Sequence, residues 1–208
     1  LFGVFVFVGQ EEMQLFIPEW WYIREFLFQP GGFCAVAGQW IIQYYRQPMS
    51  AVVFHTVLLV GCGFMVYRIL RCFSDKTYLL FLSLLPVLYL VKMSIHGEYL
   101  VDGTVGVVLM LLALSVSLKV RRAGSIAGYG IASTLFLCGL TGLLSVCYAF
   151  LYTLLALLRY KTSRQRLAAS ACLIPALFIY LFSGWLGIPV PLSDGWMPEA
   201  YLEIQRLP

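Results

Sequence analysis

Residues 124–158 read GSIAGYGIASTLFLCGLTGLLSVCYAFLYTLLALL, 35 residues without a charge. A helix that crosses a bilayer needs about 20 apolar residues. The stretch is too long for one such helix and suits two. The phrase Gly139-Leu140-Thr141-Gly142 offers a tight turn near its middle. A hairpin is expected, one arm over 124–140 and the other over 142–158. The placement of every other element depends on this hairpin.

The composition agrees with a bilayer setting. The chain is 61% hydrophobic and 12% charged over 208 residues, with a mean hydropathy of +0.86. Soluble domains carry about 25% charged residues. So much apolar surface does not fit into one soluble core of this length. Further spans are expected over 1–9 (the tail of a first helix), 48–69, 77–95, 99–118 and 167–187, with a kink at Pro86 in the third. The fold expected is an all-α, polytopic transmembrane bundle of about seven spans. The chain begins on an apolar residue other than Met and stops in the polar run YLEIQRLP. It reads as a portion of a longer protein, with 188–208 the start of an extracytoplasmic segment.

The charges give the orientation. On one side fall Arg68, Arg71, Lys76, Lys119, Arg121, Arg122, Arg159, Lys161, Arg164 and Arg166, with Asp75 the only acid. The other nine acids fall on the opposite side. Seven spans separate the signs in this way only if 124–158 is a hairpin. The basic side is then cytoplasmic. The net charge of +4 reflects topology and gives no nucleic-acid partner, because the basic clusters are short loop ends. The six cysteines form no C-x-x-C pair, and most lie in apolar runs as small hydrophobes.

The segment 10–48, GQEEMQLFIPEWWYIREFLFQPGGFCAVAGQWIIQYYRQP, differs from the rest of the chain. Phe33, Val36, Ala37, Trp40, Ile41 and Tyr44 recur at helical spacing, while Gln39, Gln43 and Arg46 lie mostly off that face. An amphipathic helix over 32–46 is too short to span and is expected in the interface plane. Pro30-Gly31-Gly32 breaks the chain before it. Trp20, Trp21, Tyr22, Trp40, Tyr44 and Tyr45 suit an aromatic belt.

Groups able to do chemistry cluster on the outer side. Glu11 and Glu12 follow the first span, where a carboxylate can act as a general base. Lys92 and His96 are spaced i, i+4 at the end of the third span, and Glu98 and Asp102 are spaced i, i+4 at the start of the fourth. Ionisable groups near membrane depth are costly and mark function. A snorkelling Lys92 above a polar turn is the plainer alternative. His55, inside the second span, is either a relay or a hydrogen bond to a neighbouring helix. Metal-ligand spacings, P-loops and serine-hydrolase elbows are absent from the sequence, and no cofactor is legible.

The run from Glu25 to Arg71, with its PGG phrase, amphipathic helix, aromatics and Pro48, resembles a family of bacterial polytopic inner-membrane proteins carrying a domain of unknown function. That resemblance implies a multi-pass protein of the bacterial inner membrane with a helical extracytoplasmic part. Gln10-Glu11-Glu12-Met13-Gln14 is also similar to the acidic first-loop motif of the C-type glycosyltransferases that use lipid-linked sugars. That similarity implies Glu11 or Glu12 as base or metal contact. Arg24, Lys92, His96, Glu98 and Asp102 are the expected substrate-binding groups around a polyprenyl-phosphate sugar. A non-catalytic anchor or assembly factor for an envelope complex, and a transporter or flippase, are the other two readings. The bilayer is the partner common to all three. A lipid-linked sugar or an envelope protein is the second partner.

Overall fold

The computed structural model describes residues 19–44, 47–74, 76, 78–95, 101–120 and 123–183. Every regular element among the described residues is an α-helix. They are α1 (Trp20–Leu27), α2 (Gly32–Gln43), α3 (Pro48–Arg71), α4 (Tyr78–Ile95), α5 (Val101–Ser117), α6 (Ala123–Thr141), α7 (Leu144–Arg159), α8 (Ser163–Ser170) and α9 (Leu173–Leu181). The span expected over 1–9 and the segment 188–208 lie outside the described residues.

Helix ends follow local chemistry. Proline opens α3, where its missing N–H has no intrahelical partner to lose. Ser50 Oγ donates to Gln47 O at 2.7 Å and also to Tyr44 O. Arg68 and Arg71 close α3, where cations suit the carbonyl end of the helix dipole. The uncharged stretch 124–158 is divided at Gly142, which takes φ 60° between α6 and α7. α4 continues through Pro86. The run expected as one span over 167–187 is two helices instead, breaking at Ala171-Cys172. Pro175 is the cause: it has no N–H to give Ala171, and its ring collides with that carbonyl in an unbroken helix.

Hydrogen bonds between helices fix the arrangement. His55 Nε2 lies 3.1 Å from Ser94 Oγ, making α3 and α4 antiparallel neighbours. Tyr152 OH donates to Ile126 O at 2.8 Å, and Ser133 and Tyr148 share a bond of 2.7 Å, so α6 and α7 are antiparallel too. α5 packs on α2, α3, α6 and α7, and α8 and α9 close against α6 and α7. The main core gathers Leu114, Ile126, Tyr148, Tyr152, Cys172 and Ala176. Its tyrosine hydroxyls bond to helix carbonyls or to Ser133, as groups removed from water require. A smaller core of Ile41, Ile42, Ala51 and Val101 joins α2, α3 and α5.

Outside these cores the surface is apolar. Two described helices are long and apolar enough to cross a membrane: residues Met49–Arg71, with mean hydropathy 2.0, and Gly124–Thr141, with 1.3. Only 11% of the first window is buried within the protein. Val57, Val60 and Phe64 of α3 and Phe81, Leu85 and Leu88 of α4 all face outward. Three shorter helices, in Tyr78–Ser94, Val101–Ser117 and Leu144–Arg159, are also apolar.

Candidate functional site

The Pro30-Gly31-Gly32 turn joins α1 to α2, and both glycines are required there. Gly31 takes φ 86°, a left-handed conformation that L side chains rarely adopt. Its N–H donates to Gly139 O of α6 at 3.0 Å. A Cβ on Gly31 would stand 3.3 Å from Gly142 N, so the turn before α2 rests on the turn between α6 and α7. A Cβ on Gly32 would stand 1.6 Å from Phe26 O, on the backbone of α1.

α2 is built with two unlike faces. Cys34, Gly38, Gln39, Ile41 and Ile42 are buried against the bundle. Phe33, Trp40 and Tyr44, which belong to the apolar face expected from spacing, point outward. Trp40 and Tyr44 also meet Phe54 of α3, with ring centroids 6.4 and 5.3 Å away. The small residues let α2 approach α5 closely: a Cβ on Gly38 would lie 2.8 Å from Asp102 N.

Asp102 therefore sits under α2, in the first turn of α5, where negative charge suits the helix dipole. Its Oδ1 accepts from Gly103 N–H at 2.6 Å. Burial, and then the nearby Asp102 carboxylate, push the Cys34 thiol from its ordinary 9.0 up to about 12. The sign of the linkage follows: Cys34 contributes fully to stability below pH 9.0 and progressively less as pH rises toward 12. Maleimide at pH 8 is expected to modify exposed Cys72 and to spare Cys34 until the protein unfolds. Peptide mass mapping before and after denaturation checks this, and equal labelling of both in the folded state contradicts it.

Arg24 belongs to α1, the helix before the glycine turn. It is exposed on α1, with its guanidinium 5.7 Å from the Phe28 ring centroid. Together with Trp20, Trp21 and Phe28 it lines a shallow cleft. The Trp21 indole N–H donates to the Glu19 carboxylate. Such a cleft can hold an anion on the guanidinium and a flat apolar or sugar face on the rings.

The structure thus brings Asp102 to Cys34 and Gly38 and sets Arg24 among aromatic rings. Lys92 is exposed near the end of α4, which has its main seat on α3. Glu11, Glu12, His96 and Glu98 lie outside the described residues. No group of three or more His, Cys, Asp or Glu able to hold a metal occurs among the described residues. Of the face expected from spacing only Ile41 is buried; the rest of the buried face of α2 did not follow from it. Gly31, Cys34 and Gly38, at i, i+3 and i+7, were its signal.

The described molecule is an all-helical bundle with two membrane-capable helices and a helical cap held by glycines. The chain belongs to the family of unknown function DUF6057, whose model matches residues 1–201. No curated protein and no solved structure matches it.

Proposed function

We propose that the chain is a multi-pass protein of the bacterial inner membrane, with about seven spans, that binds a polyprenyl-phosphate sugar at its outer end and transfers the sugar. The observation that carries the recognition step is the Arg24 cleft, where one cation stands among Trp20, Trp21 and Phe28. The outward-facing apolar flanks of α3 and α4 support the membrane placement, because lipid is the solvent that accepts them. In this reading Glu11 or Glu12 takes the proton from an acceptor hydroxyl as its oxygen attacks the anomeric carbon. The bond from that carbon to the lipid phosphate breaks. Arg24, with Lys92 and His96, holds the charge that develops on the departing phosphate. Glu98 completes the substrate-facing surface, while Asp102, packed under α2, supports the cap from beneath.

The test is native mass spectrometry of the full-length protein offered undecaprenyl phosphate. Arg24→Gln is expected to lower its occupancy roughly tenfold, as loss of a charge-assisted hydrogen bond does. Glu11→Gln and Glu12→Gln are expected to keep the lipid and lose turnover of its glycosylated form. Occupancy equal in the wild type and Arg24→Gln, with a stoichiometric protein retained by both, would overturn this reading. The cap would then be a docking surface for an envelope complex. The exposed rings of Trp20, Trp21 and Phe28 also suit that second role.

A further inference from the structure

We propose that the groove between α7 and α8 seats one anionic phospholipid of the cytoplasmic leaflet, a role separate from the outer end but resting on the membrane placement above. The groove is open to the surroundings and offers about 490 Å³. Ser163, Arg164 and Arg166 stand at its mouth, at the start of α8. Thr153 and Leu157 of α7 and Leu167 and Ser170 of α8 form its walls. The polar wall groups are already engaged: Thr153 Oγ1 donates to Ala149 O and Ser170 Oγ to Leu167 O, both at 2.8 Å. The walls are apolar in effect. Thr153 lies about 9 Å along the helix axis from the end of α7, a depth that admits the first methylenes of an acyl chain below a phosphate.

Charge identifies the occupant. From Gly103 to Ser193 the chain has no Asp or Glu, yet it has seven Lys and Arg. These cations find no carboxylate within their own part of the chain. Arg166 Nε donates to Tyr160 O at 2.7 Å, which anchors the guanidinium and leaves its two terminal nitrogens for a phosphate. At the same end of the bundle, Arg159 Nη1 is buried without a hydrogen-bond partner among the described residues. A free phosphate would satisfy the arginines but make no use of the apolar walls at Leu157 and the strongly exposed Leu167. A phosphodiester with an acyl chain satisfies both parts. Basic pockets at the cytoplasmic ends of membrane helices bind such headgroups.

The experiment titrates the full-length protein with phosphatidylglycerol and with phosphatidylcholine of the same chains, read by native mass spectrometry. The wild type is expected to retain one phosphatidylglycerol at least about tenfold more tightly than phosphatidylcholine. Arg164→Glu, at an exposed position that leaves the Arg166 bond to Tyr160 in place, is expected to erase that preference, and Arg164→Lys to keep it. Equal binding of the two lipids by the wild type overturns the proposal. So does an unchanged preference in Arg164→Glu, or displacement of phosphatidylglycerol by millimolar inorganic phosphate. Carbonate extraction of the membranes from which the protein is purified separates the two ideas. Release into the supernatant defeats the membrane placement itself, whereas retention without a lipid preference defeats only this seat.

Discussion

Gly32→Ala is expected to prevent the cap from forming and to leave little folded protein. The new methyl carbon would lie 1.6 Å from Phe26 O and 2.5 Å from Phe26 C. Both are backbone atoms, so no side chain can turn aside to make room. The end of α1 has to move away from α2, and Gly31 N–H then loses Gly139 O. A cost above about 4 kcal/mol is in proportion to such a clash and approaches the whole stability of a small domain. Gly61→Ala is the matched control, because a Cβ there meets nothing within 4 Å and alanine favours helix by up to about 1 kcal/mol. Thermal unfolding of the purified protein, followed by tryptophan fluorescence, separates the two. Gly61→Ala should melt at or above the wild-type temperature and Gly32→Ala far below it, if it is recovered at all. A Gly32→Ala protein that melts with the wild type would mean that α1 and α2 do not meet in this way.

Gly38→Leu is expected to lift α2 from α5. Even its Cβ would come 2.8 Å from Asp102 N and 3.0 Å from Asp102 Cα, and the added isobutyl group has no cavity to enter. Overpacking of a tight contact costs about 1–3 kcal/mol, and backbone on one side places this contact at the upper end. The specific sign is chemical. Cys34 lies on the same face of α2 and is 5% exposed in the wild type. Once α2 lifts, water and reagent reach the thiol, and the burial that raises its pKa is relieved. Maleimide at pH 8 should then modify Cys34 in the folded variant at a rate approaching that of Cys72. A Cys34 that stays as unreactive as in the wild type removes the close contact between α2 and α5.

The helical class was legible because apolar runs between short basic loops leave few other arrangements. The α6–α7 turn was legible from absence of charge over a length well beyond what one bilayer-crossing helix needs. Two features did not follow from pattern. The bend at Ala171-Cys172 comes from Pro175, whose effect falls four residues upstream, in an apolar run that hydropathy treats as continuous. The buried side of α2 was hidden because spacing ranks faces by apolarity. It ranks Phe33, Trp40 and Tyr44, which are exposed, beside Ile41, which is buried, whereas the close contact is made by glycine and cysteine, which score weakly and pack tightly. In the sequence Arg24 stands out by its charge alone. Its setting among Trp20, Trp21 and Phe28 follows from the i, i+1, i+4 and i+8 positions of one short helix and the residue that caps it, which the proline and glycines after it obscured.

The bond from Gly31 to Gly139 also constrains the order in which the chain matures. The seat of α2 is assembled from Asp102 on α5 and from the end of α6 with the turn at Gly142, all synthesised long after α2 itself. While the ribosome is still making α3 and α4, the small-residue face of α2 has nothing to close upon. The cap therefore cannot lock until the α6–α7 turn has been made, although it comes from the first described residues. Such long-range closures are slow and leave a surface open while they wait. For this chain, that interval lasts from the emergence of Cys34 until the α6–α7 turn is in place.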